Sequence, residues 1–323
     1  MSIAVQHRRI SLAAIREAAG AIYDTAVRTP LIRLEVGDPG RRLYLKLENL
    51  QPIGSFKIRG ARNVLRQLTR DQIEGGVWTV SAGNAAQGVA YAARQAGVPC
   101  SVMVMDTAPE TKIRAIERLG ASIVRATYDE CWRTVEAHAS DRMRGYFVHP
   151  FDDDRFIAGN ATAGLEILED LPDVDTIVAP LGGGGLLSGI AAAVDGVKPG
   201  TRIFAAEPET AAPLSVSLAA GAVDERCLPA VEVHRTAGGK SVLETMWPLL
   251  SRLTGSIVVT LDEAAGAMKY LAERAHVIAE GAAACAVAAA MSGRAGQGPI
   301  VAVVSGGNID LSRFASLVGA CGQ

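Results

Sequence analysis

The chain has 323 residues, with 32 basic and 34 acidic side chains and a net charge of −2. No basic surplus exists to neutralise phosphates, which argues against nucleic acid or an anionic membrane as the main partner. Aromatics make up only 5% of the chain, too few for a nucleobase-stacking platform. Hydrophobic residues reach 49%, enough for a large core, and the length suggests about two domains. The five cysteines, Cys100, Cys131, Cys227, Cys285 and Cys321, are scattered, with no Cys-x-x-Cys pair. That predicts reduced thiols in the cytoplasm rather than a zinc or iron–sulfur site. Arg8, Arg9 and Arg16 near the N-terminus are not followed by an apolar run, and no long apolar span appears. The expectation is a soluble protein without a signal peptide.

In chain order, the first segment that stands out is Gly54-Ser55-Phe56-Lys57-Ile58-Arg59-Gly60-Ala61, read as a turn opened by Gly54 and closed by Gly60. A lysine held among apolar neighbours loses its proton readily and can form a Schiff base with a carbonyl cofactor. An ordinary solvated loop lysine is the bland alternative. A strand over Val77–Val80 and a helix over Asn84–Gln95 follow, then a strand over Cys100–Met105. Pro109–Leu119 reads as a helix, Ala121–Arg125 as a strand, Glu130–Met143 as a helix and Tyr146–His149 as a strand. Next come helix Ala161–Leu168, strand Thr176–Ala179, helix Leu186–Val194 and strand Arg202–Ala206. Helices Leu261–Ala275 and Ala282–Met291 precede a final strand, Ile300–Val304. Short apolar strands between amphipathic helices predict an α/β fold with open, mostly parallel sheets flanked by helices. The expected division is a large domain of residues 1–65 and 146–323 and a small domain of residues 66–145.

Three further motifs fall after predicted strands, where ligands of such sheets bind. Ser81-Ala82-Gly83-Asn84-Ala85-Ala86-Gln87-Gly88 opens a helix whose free N–H groups suit a carboxylate; a plain N-cap is the bland reading. Gly182-Gly183-Gly184-Gly185 lets backbone N–H groups converge on a monophosphate, and a flexible turn is the alternative. It lacks the dinucleotide pattern, because Leu187 stands where the third glycine would be. Ser305-Gly306-Gly307-Asn308 puts a hydroxyl at the end of the last strand, unless it is a simple turn. A Schiff-base lysine, a monophosphate cup, a carboxylate-binding helix start and a polar strand end together describe a pyridoxal phosphate enzyme.

In order and approximate spacing, these four motifs resemble the threonine dehydratase and serine racemase family, whose fold is the tryptophan-synthase-β-like fold type II. The resemblance covers nearly the whole chain. It implies pyridoxal 5'-phosphate in a cleft between the large and small domains, with Lys57 as its carrier and as the base at the substrate α-carbon. It further implies that Phe56 packs beside the ring, Asn84 bonds the 3-oxygen, Gly182, Gly183, Gly184 and Gly185 hold the phosphate, and Ser305 faces the pyridine nitrogen. Glu280 matches a family glutamate near the ring, although an N-cap role reads equally well. Ser81, Ala82, Gly83, Asn84 and Ala85 would line the substrate side. The implied reaction is β-elimination of water from a 3-hydroxy amino acid, giving a 2-keto acid and ammonia.

Departures from the family pattern refine this. Racemases of the family carry a serine where this chain has Ala82, and alanine moves no proton, so a dedicated racemase is disfavoured. Ala85 replaces a common histidine, and Trp132 is either an apolar pocket wall or a core residue. Both hint at a substituent bulkier than that of threonine, as in phenylserine or a hydroxyectoine-derived substrate. Glu207 and the Ala211 carbonyl match a family cation site whose later acidic ligand is here Pro213, so no metal is expected. The sequence ends soon after Asn308, where biosynthetic threonine dehydratases add a regulatory domain; that suggests a catabolic enzyme. A homodimer is expected by resemblance. A serine or amino-acid racemase, a β-replacement synthase and a catalytically silent PLP-binding protein remain the alternatives.

Overall fold

The computed structural model describes residues 8–38, 40–224 and 241–320. Cys227, Cys321 and the outermost ends of the expected large domain lie outside the described residues. Among the described residues ten strands are present: β1 (Leu31–Leu34), β2 (Leu43–Lys46), β3 (Val77–Val80), β4 (Cys100–Met105), β5 (Ser122–Ala126), β6 (Tyr146–Phe147), β7 (Thr176–Pro180), β8 (Arg202–Pro208), β9 (Gly255–Val259) and β10 (Ile300–Val303). The helices are α1 (Leu12–Ala19), α2 (Lys57–Leu65), α3 (Arg70–Glu74), α4 (Asn84–Ala96), α5 (Glu110–Glu117), α6 (Tyr128–Ala137), α7 (Asp154–Asp170), α8 (Gly185–Val197), α9 (Pro213–Ala220), α10 (Trp247–Leu250), α11 (Leu261–Tyr270), α12 (Gly281–Met291) and α13 (Leu311–Ala320). None of the described helices is long and apolar enough to cross a membrane.

The strands form two sheets, ordered β1-β2-β10-β7-β8-β9 and β5-β4-β3-β6. The smaller sheet is entirely parallel. In the larger one only β1 and β2 run antiparallel. Every residue of β3, β7 and β10 is buried, as strands covered by helices on both faces require. Small residues let the helices approach closely. A Cβ on Gly189 of α8 would lie 2.8 Å from the Ala161 nitrogen of α7.

Most expected strands and helices form, with some differences. The segment around Lys57 is no turn: Lys57 opens α2 and Gly60 lies inside it. A Cβ at Gly60 would meet the Phe156 ring at 2.4 Å, so this glycine serves helix packing rather than turn geometry. Helix α6 stops at Ala137 instead of Met143, because His138 adopts the left-handed conformation at φ 55°. The strand expected to reach His149 ends at Phe147. Helix α7 begins seven residues earlier than expected, capped by the Asp153 carboxylate, which accepts from the Arg155 and Phe156 nitrogens. Helix α11 gives way to a π turn over Leu271–Ala275.

Candidate active site

Lys57 sits half-buried at the first position of α2. The approach to that helix is tied to the end of β10: the Phe56 N–H donates to the Ser305 carbonyl at 3.0 Å, and Ser55 pairs with Gly306. The Lys57 Nζ donates to the Pro150 carbonyl at 2.5 Å and lies 5.2 and 5.3 Å from the ring centroids of Phe56 and Phe156. No carboxylate pairs with it among the described contacts. Burial alone pushes its pKa down to about 8. A substantial share of this amine is therefore neutral near physiological pH, as a nucleophile or base must be.

Across from Lys57, β3 ends and α4 begins. Ser81 Oγ accepts from the Gly83 N–H at 3.0 Å. Gly83 is the N-cap of α4 and offers no side chain, so the first N–H groups of the helix are available to an anion. Asn84 is held from two sides. Its Nδ2 donates to Glu280 Oε1 at 2.7 Å, and its Oδ1 accepts from Asn308 Nδ2 at 2.7 Å. Asn308 also donates to the Ile53 carbonyl at 2.8 Å. The Asn84 amide is thereby fixed in orientation, with one N–H left over.

Glu280 occupies the N-cap position of α12, but its carboxylate does not cap that helix. It reaches Asn84 instead. Burial pushes its pKa up to about 7, and the hydrogen bond from Asn84 opposes the rise. Gly306 permits this approach, since a Cβ there would lie 2.7 Å from Glu280 Oε1 and 3.1 Å from Asn84 Nδ2. Ala82 packs on the small-sheet core, and Ala85 is buried.

Gly182–Gly185 links β7 to α8. Gly184 has φ +93°, which side-chain-bearing residues rarely adopt. A Cβ on Gly183 would fall 2.2 Å from the Phe151 ring, and one on Gly185 2.8 Å from the Phe151 carbonyl. The 13-residue α8 starts without a side-chain cap, so its first N–H groups and dipole suit an anion. Ser305 lies buried just past β10. All three strand ends, β3, β7 and β10, are carboxyl ends.

These residues fit pyridoxal phosphate. The uncapped α8 and its glycines suit a monophosphate, Lys57 is a depressed amine, and the Ser55 hydroxyl is fully buried without a partner.

Some expected residues lie elsewhere. Glu207 is buried and already engaged: its oxygens accept from the Leu214 and Ser215 nitrogens at 2.9 and 2.8 Å and from Ser256 Oγ at 2.5 Å. It caps α9, whose first residue is Pro213. Trp132 is half-exposed on α6, and its indole N–H donates to Glu136 on the same helix at 2.6 Å. It joins none of the apolar cores, so it is not a core tryptophan. His138, His149 and Asp152 bring three potential ligand atoms within 4.8 Å of one another. However, His149 Nδ1 accepts from the Asp152 N–H at 2.7 Å and Nε2 lies 3.1 Å from the Val135 carbonyl, so neither nitrogen is free. Burial pushes that imidazole down to about 3, which keeps it neutral.

Residues that the motifs did not point to also shape the site. Pro150 takes the Lys57 amine, Phe151 lies on the glycine loop, and Asn308 orients Asn84. The run His149-Pro150-Phe151 before an N-capping aspartate was the available signal.

Residues 22–306 match the family model described as "Pyridoxal-phosphate dependent enzyme". The chain is a pyridoxal-phosphate dependent enzyme. An L-threonine ammonia-lyase of Thermotoga maritima is 38% identical over 319 residues, covering 96% of this chain and 78% of that protein. A catabolic L-threonine dehydratase of Staphylococcus aureus is 36% identical over 324 residues, covering 96% and 92%. Among solved structures, maize serine racemase superposes with a TM-score of 0.84 at 32% identity, covering 97% of this chain and 98% of that one. This pyridoxal-phosphate dependent enzyme is thus a lyase of the dehydratase/ammonia-lyase kind with a fold type II architecture.

Proposed function

We propose that Lys57 carries the cofactor and moves the proton at the α-carbon of a 3-hydroxy amino acid, so that water is eliminated from Cα–Cβ. The observation that carries this reading is the Lys57 amine itself: enclosed by Phe56 and Phe156, without a carboxylate partner among the described residues, with its pKa pushed down to about 8. Pyridoxal phosphate, when bound, supplies an electron sink conjugated to the α-carbon. Gly182–Gly185 and the start of α8 take its phosphate. The remaining Asn84 N–H meets the 3-oxygen, and Glu280 and Asn308 keep it aimed there. The buried Ser305 hydroxyl would face the ring nitrogen. A hydroxyl there would not keep that nitrogen protonated, which suits elimination.

Ser81 and the first N–H groups of α4 hold the substrate carboxylate. Lys57 takes the α-proton and the β-hydroxyl leaves with a proton as water. The released enamine hydrolyses to a 2-keto acid and ammonia. Ala82 offers no group to return a proton from the opposite face, which favours elimination over racemisation. Ala85 stands where the family commonly has a histidine, and Phe56 and Phe156 supply the aromatic surface near Lys57. A substituent bulkier than a methyl group suits this arrangement. Glu207 works here as the cap of α9 in place of a cation ligand. A small lobe of residues 66–145, a homodimeric assembly and a cytoplasmic location complete the proposal.

The test is a screen of L-serine, L-threonine and phenylserine for ammonia and keto-acid release, with Lys57→Ala alongside. Turnover that is highest for the bulkier substrate and absent in Lys57→Ala supports the reading. A clear preference for serine or threonine overturns the substrate class, and a fully active Lys57→Ala protein overturns the mechanism.

A further inference from the structure

Two residues beyond Lys57 lies a group that the reaction does not use. Arg59 is fully buried, as are Glu48 and Lys46, and Glu166 is 1% exposed. Positions two apart on a helix face about 200° away from each other. Arg59 therefore points into the protein while Lys57 points towards the site.

Every guanidinium donor of Arg59 is used. Nε and Nη2 grip Glu48 at 2.7 and 2.8 Å, and Nη1 and Nη2 grip Glu166 at 2.6 and 2.9 Å. Nη1 also reaches Thr162 Oγ1 at 2.9 Å, and Nη2 reaches the Val27 carbonyl at 3.2 Å. Lys46 on β2 completes the set with a 2.5 Å contact to Glu166 and a 2.6 Å bond to the Thr29 carbonyl. The four charges sum to zero. Glu48 belongs to the segment after β2, and Glu166 and Thr162 belong to α7. The first turn of α2 is thus held by two planar forks from two different elements.

Buried ion clusters are poor stabilisers, because desolvation offsets the attraction between the charges. What a doubly bidentate arginine does supply is fixed direction. A helix that carries a reactive amine on its opposite face needs that property, since displacement of about 1 Å at a reacting group costs roughly a hundredfold in rate.

We propose that Arg59 is a positioning residue for the reaction: clamped between Glu48 and Glu166, it fixes the rotation and depth of α2 and so aims Lys57. The proposal rests on Lys57 as the proton-moving group. It goes further by assigning a functional role to charges that stand outside the site.

The test uses the cofactor-loaded enzyme with Arg59→Lys, which keeps the charge but loses the fork, and Glu48→Gln, which keeps the shape. Turnover, KM, cofactor content and the visible circular dichroism of the bound cofactor are measured for each. The expected result is a fall in kcat of roughly tenfold or more, from misplacement alone. KM should stay within about threefold and cofactor content should stay full, because the binding groups are untouched. The dichroic band should weaken or change sign. Thr162→Val removes a single Arg59 contact and keeps the question open if Arg59→Lys does not fold; it should show the same pattern on a smaller scale. Folded variants with wild-type kcat and an unchanged dichroic band, differing only in melting temperature, overturn the proposal. Lys57→Ala measured beside them separates the two failures. An active Lys57→Ala defeats the underlying mechanism, whereas wild-type turnover in the Arg59 and Glu48 variants beside an inactive Lys57→Ala defeats the positioning role.

Discussion

Asn84 Nδ2 donates to Glu280 Oε1 at 2.7 Å, across 196 residues of sequence. The contact joins the smaller sheet, through the helix after β3, to the larger one, through the start of α12. It places a carboxyl with a raised pKa one bond away from the amide that the mechanism uses.

That pKa predicts a pH-dependent stability. Burial raises the Glu280 pKa from its ordinary 4.5 to about 7. A raised carboxyl contributes most below the unfolded value, and the contribution is lost as pH rises through the folded one. In the cofactor-free protein, Glu280→Gln should match wild type near pH 4.5 and be the more stable protein above pH 7. The gap should be of order 2 kcal/mol, discounted for partial solvent screening. Urea unfolding at the two pH values checks this, and equal stabilities at both would contradict it.

Lys57 carries the opposite kind of shift. Its pKa is depressed from 10.5 to about 8, so the native amine loses its proton before the unfolded one does. Stability attributable to Lys57 therefore rises with pH between about 8 and 10.5. In the cofactor-free protein, amine-directed labelling of Lys57 should show a midpoint near pH 8. Peptide mass spectrometry separates it from the other lysines. A Lys57 midpoint near the ordinary 10.5 would show an amine held in water.

The glycine loop predicts a steric effect. A methyl group at Gly183 would fall 2.2 Å from the Phe151 ring, and one at Gly306 2.7 Å from Glu280 Oε1. Gly183→Ala should weaken cofactor retention by roughly tenfold or more while the protein stays folded, because the phosphate cup must open to admit the methyl. Gly306→Ala should disturb the Asn84–Glu280 bond and alter the cofactor's absorption. Dialysis against buffer followed by visible spectra reads both.

Ala82 predicts a gain of activity. On the proposed reading, a hydroxyl at this position would return a proton from the face opposite Lys57. Ala82→Ser should produce measurable racemisation of serine by chiral chromatography, at the expense of keto-acid release. Continued pure elimination would mean that the residue at position 82 does not decide the outcome.

The motifs were legible because each is local. Lys57, Asn84, Gly182–Gly185 and Ser305 are defined by a few neighbours and a strand end, and alternating apolar strands and helices position those ends. What was not legible depends on distance along the chain. Arg59 meets Glu48 at a separation of 11 residues and Glu166 at 107, and no local pattern pairs them. Charged residues inside apolar or small-residue segments, Lys46 in β2 and Glu166 in α7, were the only hint. Gly60 misled for a related reason, since its role is set by Phe156 on another helix. His138 ends α6 in a left-handed conformation without the glycine that normally announces it. Trp132 reads from the sequence as a pocket wall or a core residue; it joins none of the described apolar cores, and its half-exposed indole bonds Glu136 on the same helix.

The central claim is that Lys57, alone among the lysines, carries the cofactor. Borohydride reduction of the loaded enzyme, followed by proteolysis and mass spectrometry, tests it most directly. The account predicts the reduced cofactor on the peptide containing Lys57 and on no other. Label on Lys46, Lys112, Lys198, Lys240 or Lys269 instead, with Lys57 unmodified, would contradict it.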